Sequence, residues 1–214
     1  MECKTFYFNA LRTCCYVVSD QTGDCFIIDP GCYRQTEEQR LATYIRSNNL
    51  TPRYIVNTHC HFDHLMGLAF LRQTYQIPFR THPLEAGMLK KASSHAILFG
   101  FSMIAPGTDF SPLYDGEKLS FGTSSLKVIH TPGHSPGSVC LYGDQERMLF
   151  TGDLLFAGSV GRTDLPGGNY DHLMDSLARK IMPLPANTLI FPGHGPSSSL
   201  EREFAGNPYL QHLC

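Results

Sequence analysis

Residues His59 to His64 read His-Cys-His-Phe-Asp-His, so that four side chains able to hold a metal follow directly on the apolar run Tyr54-Ile55-Val56-Asn57. Such a block arises by chance in roughly one chain in a thousand of this length. In extended backbone, side chains two apart lie on the same side. His59 and His61 can therefore grip one ion together, while Asp63 and His64 face a neighbouring position. The same alternation turns Cys60 away, so its thiol, although of a type that binds zinc, is not expected among the ligands. One short segment can thus serve two ions.

Three further candidates stand where β-rich runs end in glycine turns: His134 in Thr-Pro-Gly-His, Asp153 in Thr-Gly-Asp and His194 in Pro-Gly-His-Gly. Glycine permits the tight turn that aims the next imidazole or carboxylate across a cleft. Neutral imidazole and carboxylate suit zinc, iron or manganese. The remaining histidines, His82, His95, His130, His172 and His212, lack this company and are read as ordinary surface or hydrogen-bonded residues.

Around these motifs the chain alternates strands and helices. Strands are predicted over Thr5–Phe8, Cys14–Ser19, Cys25–Ile28, Tyr54–Asn57 and Ile77–Thr81 in the first half, with helices over Thr36–Asn49, Leu65–Tyr75 and Pro83–Lys91. The second half repeats the theme, with strands at Leu126–Ile129, Val139–Tyr142, Met148–Thr151 and Thr188–Phe191 and a helix at Tyr170–Ile181. Strands in the middle with helices outside predict an α/β protein, a four-layer αββα sandwich, formed as one domain over residues 1–214. Ser93–Pro112 fits neither a strand nor a long helix and is expected as an excursion over the site or as a packed surface loop.

Composition narrows the partners. An apolar share of 42% supports a sizeable core, and a net charge of −2 without clustered Lys and Arg gives no reason to expect nucleic acid. The N-terminal Met-Glu-Cys-Lys-Thr-Phe-Tyr-Phe has no apolar signal run, and no stretch approaches the ~20 apolar residues of a membrane span. Cysteines at 3, 14, 15, 25, 32, 60, 140 and 214 form no CxxC pair, which favours reduced thiols in a cytoplasmic protein. Burial within strands accounts for Cys14, Cys25 and Cys140. A monomer and a homodimer both fit.

Taken in order, Asp29-Pro-Gly, the His59–His64 block, Thr-Pro-Gly-His134, Thr-Gly-Asp153-Leu-Leu-Phe-Ala-Gly-Ser-Val-Gly-Arg162-Thr-Asp164 and Pro-Gly-His194-Gly resemble the metallo-β-lactamase superfamily. Within it the chain is most similar to the short glyoxalase II-like hydrolases, the hydroxyacylglutathione hydrolases. The resemblance implies that His59, His61 and His134 hold one metal, that Asp63, His64 and His194 hold a second, and that Asp153 bridges them. It gives Asp29 the task of orienting a ligating imidazole through its distal N–H. Two divalent ions are implied, zinc first, with iron or manganese accepted by the same donors.

Two cations about 3.5 to 4 Å apart can share a water and lower its pKa to about 7. The resemblance then implies hydrolysis of a small-molecule thioester by that bridging hydroxide, with Asp63 as the catalytic residue that orients it. A thioester suits the site because its leaving thiol, with a pKa of about 8.5, needs little protonation. The C-terminal helical part with which longer glyoxalase II enzymes contact glutathione is not expected in the short stretch after His194. Arg162 could bind a substrate carboxylate or pair locally with Asp164. A β-lactamase of the common zinc class is disfavoured, because that class has Cys where Asp153 stands. A lactonase of the same fold remains open, as does a persulfide dioxygenase using one iron on two His and one Asp.

Overall fold

The structure, a computed structural model, describes residues 1–211 and 213; His212 and Cys214 lie outside the described residues. Two six-stranded sheets stack face to face. The first runs β1 (Glu2–Phe8), β2 (Thr13–Ser19), β3 (Asp24–Ile28), β4 (Thr51–Val56), β5 (Phe79–Thr81) and β6 (Ser111–Pro112), in that order across the sheet. Pairing is antiparallel from β1 to β3 and parallel from β3 to β6. The parallel steps are made by helical crossovers: α1 (Gln35–Ser47) joins β3 to β4, α2 (Leu68–Tyr75) joins β4 to β5, and α3 (Ala86–Leu98) precedes β6.

In the second sheet β7 (Lys118–Phe121), β8 (Ser124–His130), β9 (Val139–Gly143) and β10 (Met148–Gly152) form a meander. The short hairpin of β11 (Leu155–Phe156) and β12 (Ser159–Val160) follows, then α4 (Tyr170–Ser176), which continues into a wide turn to Ile181. β13 (Leu189–Pro192) returns parallel to β10, and β14 (Ser198–Ser199) leads into α5 (Leu200–Gly206).

Strand β2 shows why the layers form. Every one of its residues is buried, a pattern that requires both faces of the sheet to be covered. Cys14, Tyr16 and Val18 point into the core between the sheets, where they meet Phe26, Ile28, Val128, Leu141 and Phe150. Cys15 and Val17 point the other way, into the layer that packs Leu41 and Ile45 of α1 and Leu68 and Leu71 of α2. On the far side, Leu149 and Ile190 pack against Leu173, Leu177 and Leu200. The predicted αββα sandwich is the observed one. Cys14, Cys25 and Cys140 are fully buried, and the seven cysteines among the described residues are free.

Two helix expectations need correction. The helix predicted from Leu65 begins at Leu68, because Phe62–His64 is wound as a tight 3-10 turn that carries ligand candidates instead of a helix face. The helix predicted over Pro83–Lys91 opens with a 3-10 turn at Pro83–Glu85 and then runs on to Leu98, so of the segment Ser93–Pro112 the first part is helical, the last two residues form β6, and only the stretch between is irregular. Leu89, Ala92 and Ala96 recur at helical spacing and are buried, while the polar residues between them face out. No helix among the described residues is long and apolar enough to cross a membrane.

Candidate metal centre

Each candidate ligand leaves the C-terminal end of a strand, where ligands gather in open α/β sheets. Asp29 follows β3, the His59–His64 block follows β4, His134 follows β8, Asp153 follows β10 and His194 follows β13. Backbone bonds fasten the two sheets together at this edge. Cys14 N–H donates to the Gly193 carbonyl at 2.7 Å, and Val139 N–H donates to the Thr58 carbonyl at 2.9 Å.

Seven predicted side chains converge here. His59, His61 and His134 offer ligand atoms within 4.8 Å of one another, and so do Asp63, His64 and His194. His134 Nε2 lies 2.8 Å from His61 Nδ1, and His64 Nε2 lies 3.3 Å from His194 Nε2. The Asp153 carboxylate stands between the groups. Its Oδ2 is 3.4 Å from His134 Nε2, 4.0 Å from His59 Nε2 and 3.6 Å from His194 Nε2, while Oδ1 is 3.5 Å from His64 Nε2.

The crowding depends on glycine at two places. At Gly193 a Cβ would collide with Asp153 Oδ1. At Gly133, where φ is 144°, a Cβ would run into the backbone of Leu173 in α4. Asp29 is also unusual, a buried non-glycine residue at φ 49°, a region Asp tolerates better than most residues.

A ring of hydrogen bonds fixes the orientations. Asp29 accepts from Thr58 N–H at 2.8 Å and from the Thr58 hydroxyl at 2.6 Å, and its Oδ2 lies 3.2 Å from His64 Nδ1. Thr13 donates to Asp63 Oδ2 at 2.8 Å. His134 Nδ1 bonds the Arg162 carbonyl at 2.8 Å, and His194 Nδ1 bonds the Leu11 carbonyl at 3.1 Å, leaving both Nε2 atoms facing the centre. Asn57 holds the carbonyls of His59 and His64.

Sequence reasoning missed Thr13, Asn57, Thr58 and above all Glu85, which is fully buried. Its carboxylate accepts from Cys60 N–H at 2.7 Å, from the Ser135 hydroxyl at 2.7 Å and from Gly137 N–H at 2.8 Å. It thereby clamps the loop of His59 and His61 to the loop of His134. Only an acidic residue opening a helix marks it in the sequence. Cys60 is turned away from the centre, its sulfur 3.5 Å from Thr81 Oγ1.

The electrostatics fit a cation. Burial and the surrounding imidazoles hold His59 well below its ordinary pKa, and burial with His134 brings His61 down to about 3, so both rings are neutral. Burial would also depress His64, but Asp63, Asp153 and Asp29 outweigh it and raise the ring to about 10, so the three carboxylates demand a positive charge here that a bound cation would supply in the proton's place. For Asp63 the burial penalty is overcome by His64, His194 and Thr13, and its carboxyl is held well below the usual range. Two buried atoms aimed inward, His59 Nε2 and Asp153 Oδ1, have no hydrogen-bond partner. Unsatisfied buried acceptors of this kind are costly unless an ion or water meets them. The donor set therefore suits divalent metal.

Arg162 forms a two-pronged pair with Asp164, Nε to Oδ1 and Nη2 to Oδ2 both at 2.7 Å, at the exposed rim. His82 and His130 stack on one another away from the centre, centroids 4.2 Å apart.

Fold and site together define a metal-binding hydrolase fold, and comparison with known families agrees. The model of the metallo-beta-lactamase superfamily matches residues 9–194, and the chain belongs to that superfamily. It is 39% identical to the probable metallo-hydrolase YqgX of Bacillus subtilis, covering 91% of this chain and 90% of that one. It is 30% identical to the hydroxyacylglutathione hydrolase GloC of Haemophilus influenzae, covering 98% of both. Among solved structures, the BLEG-1 B3 metallo-beta-lactamase superposes with a TM-score of 0.90 at 36% identity, over 98% of this chain and 99% of that one. TTHA1623 in a di-iron-bound form gives 0.88 at 37%, over 97% and 100%.

Proposed function

We propose that this chain is a binuclear metallo-hydrolase that cleaves hydroxyacylglutathione-like thioesters to a carboxylic acid and a thiol. The observation that carries the reading is the Asp153 carboxylate, within 4.0 Å of imidazoles from both triads. A mononuclear site would need only one of them. His59, His61 and His134 would hold one ion, Asp63, His64 and His194 the other, with Asp153 shared. Such a pair would supply hydroxide from water near neutral pH and an electrophile for the carbonyl oxygen.

The chain's own residues do the rest. Asp63 faces the shared space and would orient the attacking water, its own position set by Thr13. The Asp29 carboxylate stands 3.2 Å behind His64 Nδ1 and would orient the ring toward the ions. None of these groups needs to act as a general acid, because a thiolate leaves without one.

The similarity to the Haemophilus hydrolase supports this substrate class. The di-iron-bound relative supports a two-ion centre and favours neither zinc nor iron for this chain. The resemblance to BLEG-1 favours a second reading, β-lactam hydrolysis at the same centre.

Elemental analysis of protein purified without added metal, combined with thiol release from S-lactoylglutathione, tests the proposal. We expect about two ions per chain and thioester turnover, abolished in His59→Ala, His61→Ala and Asp153→Ala while the variants remain folded by circular dichroism. Turnover retained in these variants contradicts it. Oxygen consumption with glutathione persulfide in place of thiol release would assign the persulfide dioxygenase activity instead, and cephalosporin cleavage alone would assign the second reading.

A further inference from the structure

The cleft above the centre encloses about 760 Å³, within the range of small-molecule sites. Its floor is the ligand set. Its walls are apolar, formed by Met88 in the first turn of α3, Leu98 at its end and Phe99 just beyond, and by Leu11, Phe156 and Leu165. Phe99 rests on the buried ring of Phe62, centroids 5.1 Å apart. Phe99 is 50% exposed and Leu98 79% exposed, an apolar rim of the kind that marks a binding surface.

The charges on the wall are few. Apart from the ligand residues, Arg162 and His95 are the ionisable side chains lining the cleft among the described residues. The Arg162 guanidinium is already engaged by both oxygens of Asp164. Glutathione carries two carboxylates and an ammonium at neutral pH, and recognising it by charge requires complementary groups on the wall. This cleft offers an apolar surface in their place.

Resting on the thioester reading above, we infer that the site selects thioesters with an apolar chain or ring beside the scissile bond, read by the Phe62–Phe99 and Leu98 wall, and does not read the charged tripeptide. Each methylene buried against such a wall adds about fourfold to affinity.

The test uses the metal-loaded full chain. kcat/KM is compared for S-lactoylglutathione, S-(2-hydroxyoctanoyl)glutathione and the S-lactoyl thioester of benzyl mercaptan. The last two place the apolar group on the acyl and the thiol half respectively. At least one is expected to exceed S-lactoylglutathione by tenfold or more, and the arm that gains identifies the half the wall receives. Leu98→Asp and Phe99→Ala, both on exposed positions, should shrink that ratio below threefold. Independently of turnover, octanoate should bind at least tenfold tighter than acetate by calorimetry, and Leu98→Asp should erase the difference.

If S-lactoylglutathione is the best substrate and octanoate binds no tighter than acetate, the inference is overturned and the thioester reading stands. If no thioester is turned over, the reading fails and the inference falls with it, whichever way octanoate binds.

Discussion

Glu85 holds no ion, yet three donors from two different loops depend on its carboxylate. Burial pushes its pKa up, countered by the bonds from Ser135, Cys60 and Gly137. Glu85→Ala would strand those donors in a dry interior, at a cost of about 2–4 kcal/mol. Glu85→Gln keeps an oxygen for Ser135 and Gly137 but sets an amide N–H against Cys60 N–H, so it should fall between Ala and wild type. Urea unfolding curves of the three proteins check this ordering. Asp29→Ala should act differently. It frees the His64 ring and should weaken metal affinity by about 10–100-fold, read by competition with a chromogenic chelator. Equal affinity in Asp29→Ala and wild type would remove Asp29 from the supporting shell.

At the scale of elements, His82 caps the 3-10 turn that opens α3, its Nδ1 accepting from Leu84 N–H at 3.3 Å. Burial, with the stacked His130 ring, brings its pKa down to about 4, partly offset by Asp115. A histidine depressed in the folded state stays neutral there while the unfolded chain takes up a proton. Its contribution is therefore complete above about pH 6.5 and is lost as the pH falls toward 4. His82→Asn keeps a capping oxygen and cannot titrate, so the melting temperature of wild type should fall more steeply than that of the variant between pH 6.5 and 4. Parallel slopes would show that the ring does not titrate as described.

The same element shows where sequence reading stops. The buried stripe of Leu89, Ala92 and Ala96 is present in the sequence, but Ser93, Ser94 and His95 interrupt it on the outer face and hide the length of the helix. Strand β7, four residues with only Leu119 and Phe121 facing in, is too short to show an alternation. Helix α5 is signalled by Ser199, whose hydroxyl accepts from Arg202 N–H, but its reason for forming lies elsewhere. Glu203 inside it bonds Gly158, Ser198 and Asn207. The ligand candidates were legible because they sit in dense motifs beside glycine turns. Thr13, Thr58 and Glu85 were not, because common residue types acquire their roles only through contacts 25 to 50 residues away.

Across the whole molecule, the ligand candidates divide between the sheets. Asp29 and the His59–His64 block belong to the first, while His134, Asp153 and His194 belong to the second. Ions bound between them tie the halves together and stabilise only the folded state. Removing metal with a chelator should lower the melting temperature by on the order of 10 °C, the shift expected for about 4 kcal/mol in a chain of this size. Calorimetry before and after dialysis against the chelator measures it, and an unchanged transition would mean that the sandwich holds without its ions.

The proposed chemistry requires two ions sharing one carboxylate. Anomalous diffraction from crystals grown with metal-loaded protein addresses it directly. Two peaks are predicted, one among His59, His61 and His134 and one among Asp63, His64 and His194, with the Asp153 carboxylate reaching both. A single peak at full occupancy, or two peaks with Asp153 bound to only one, would contradict it.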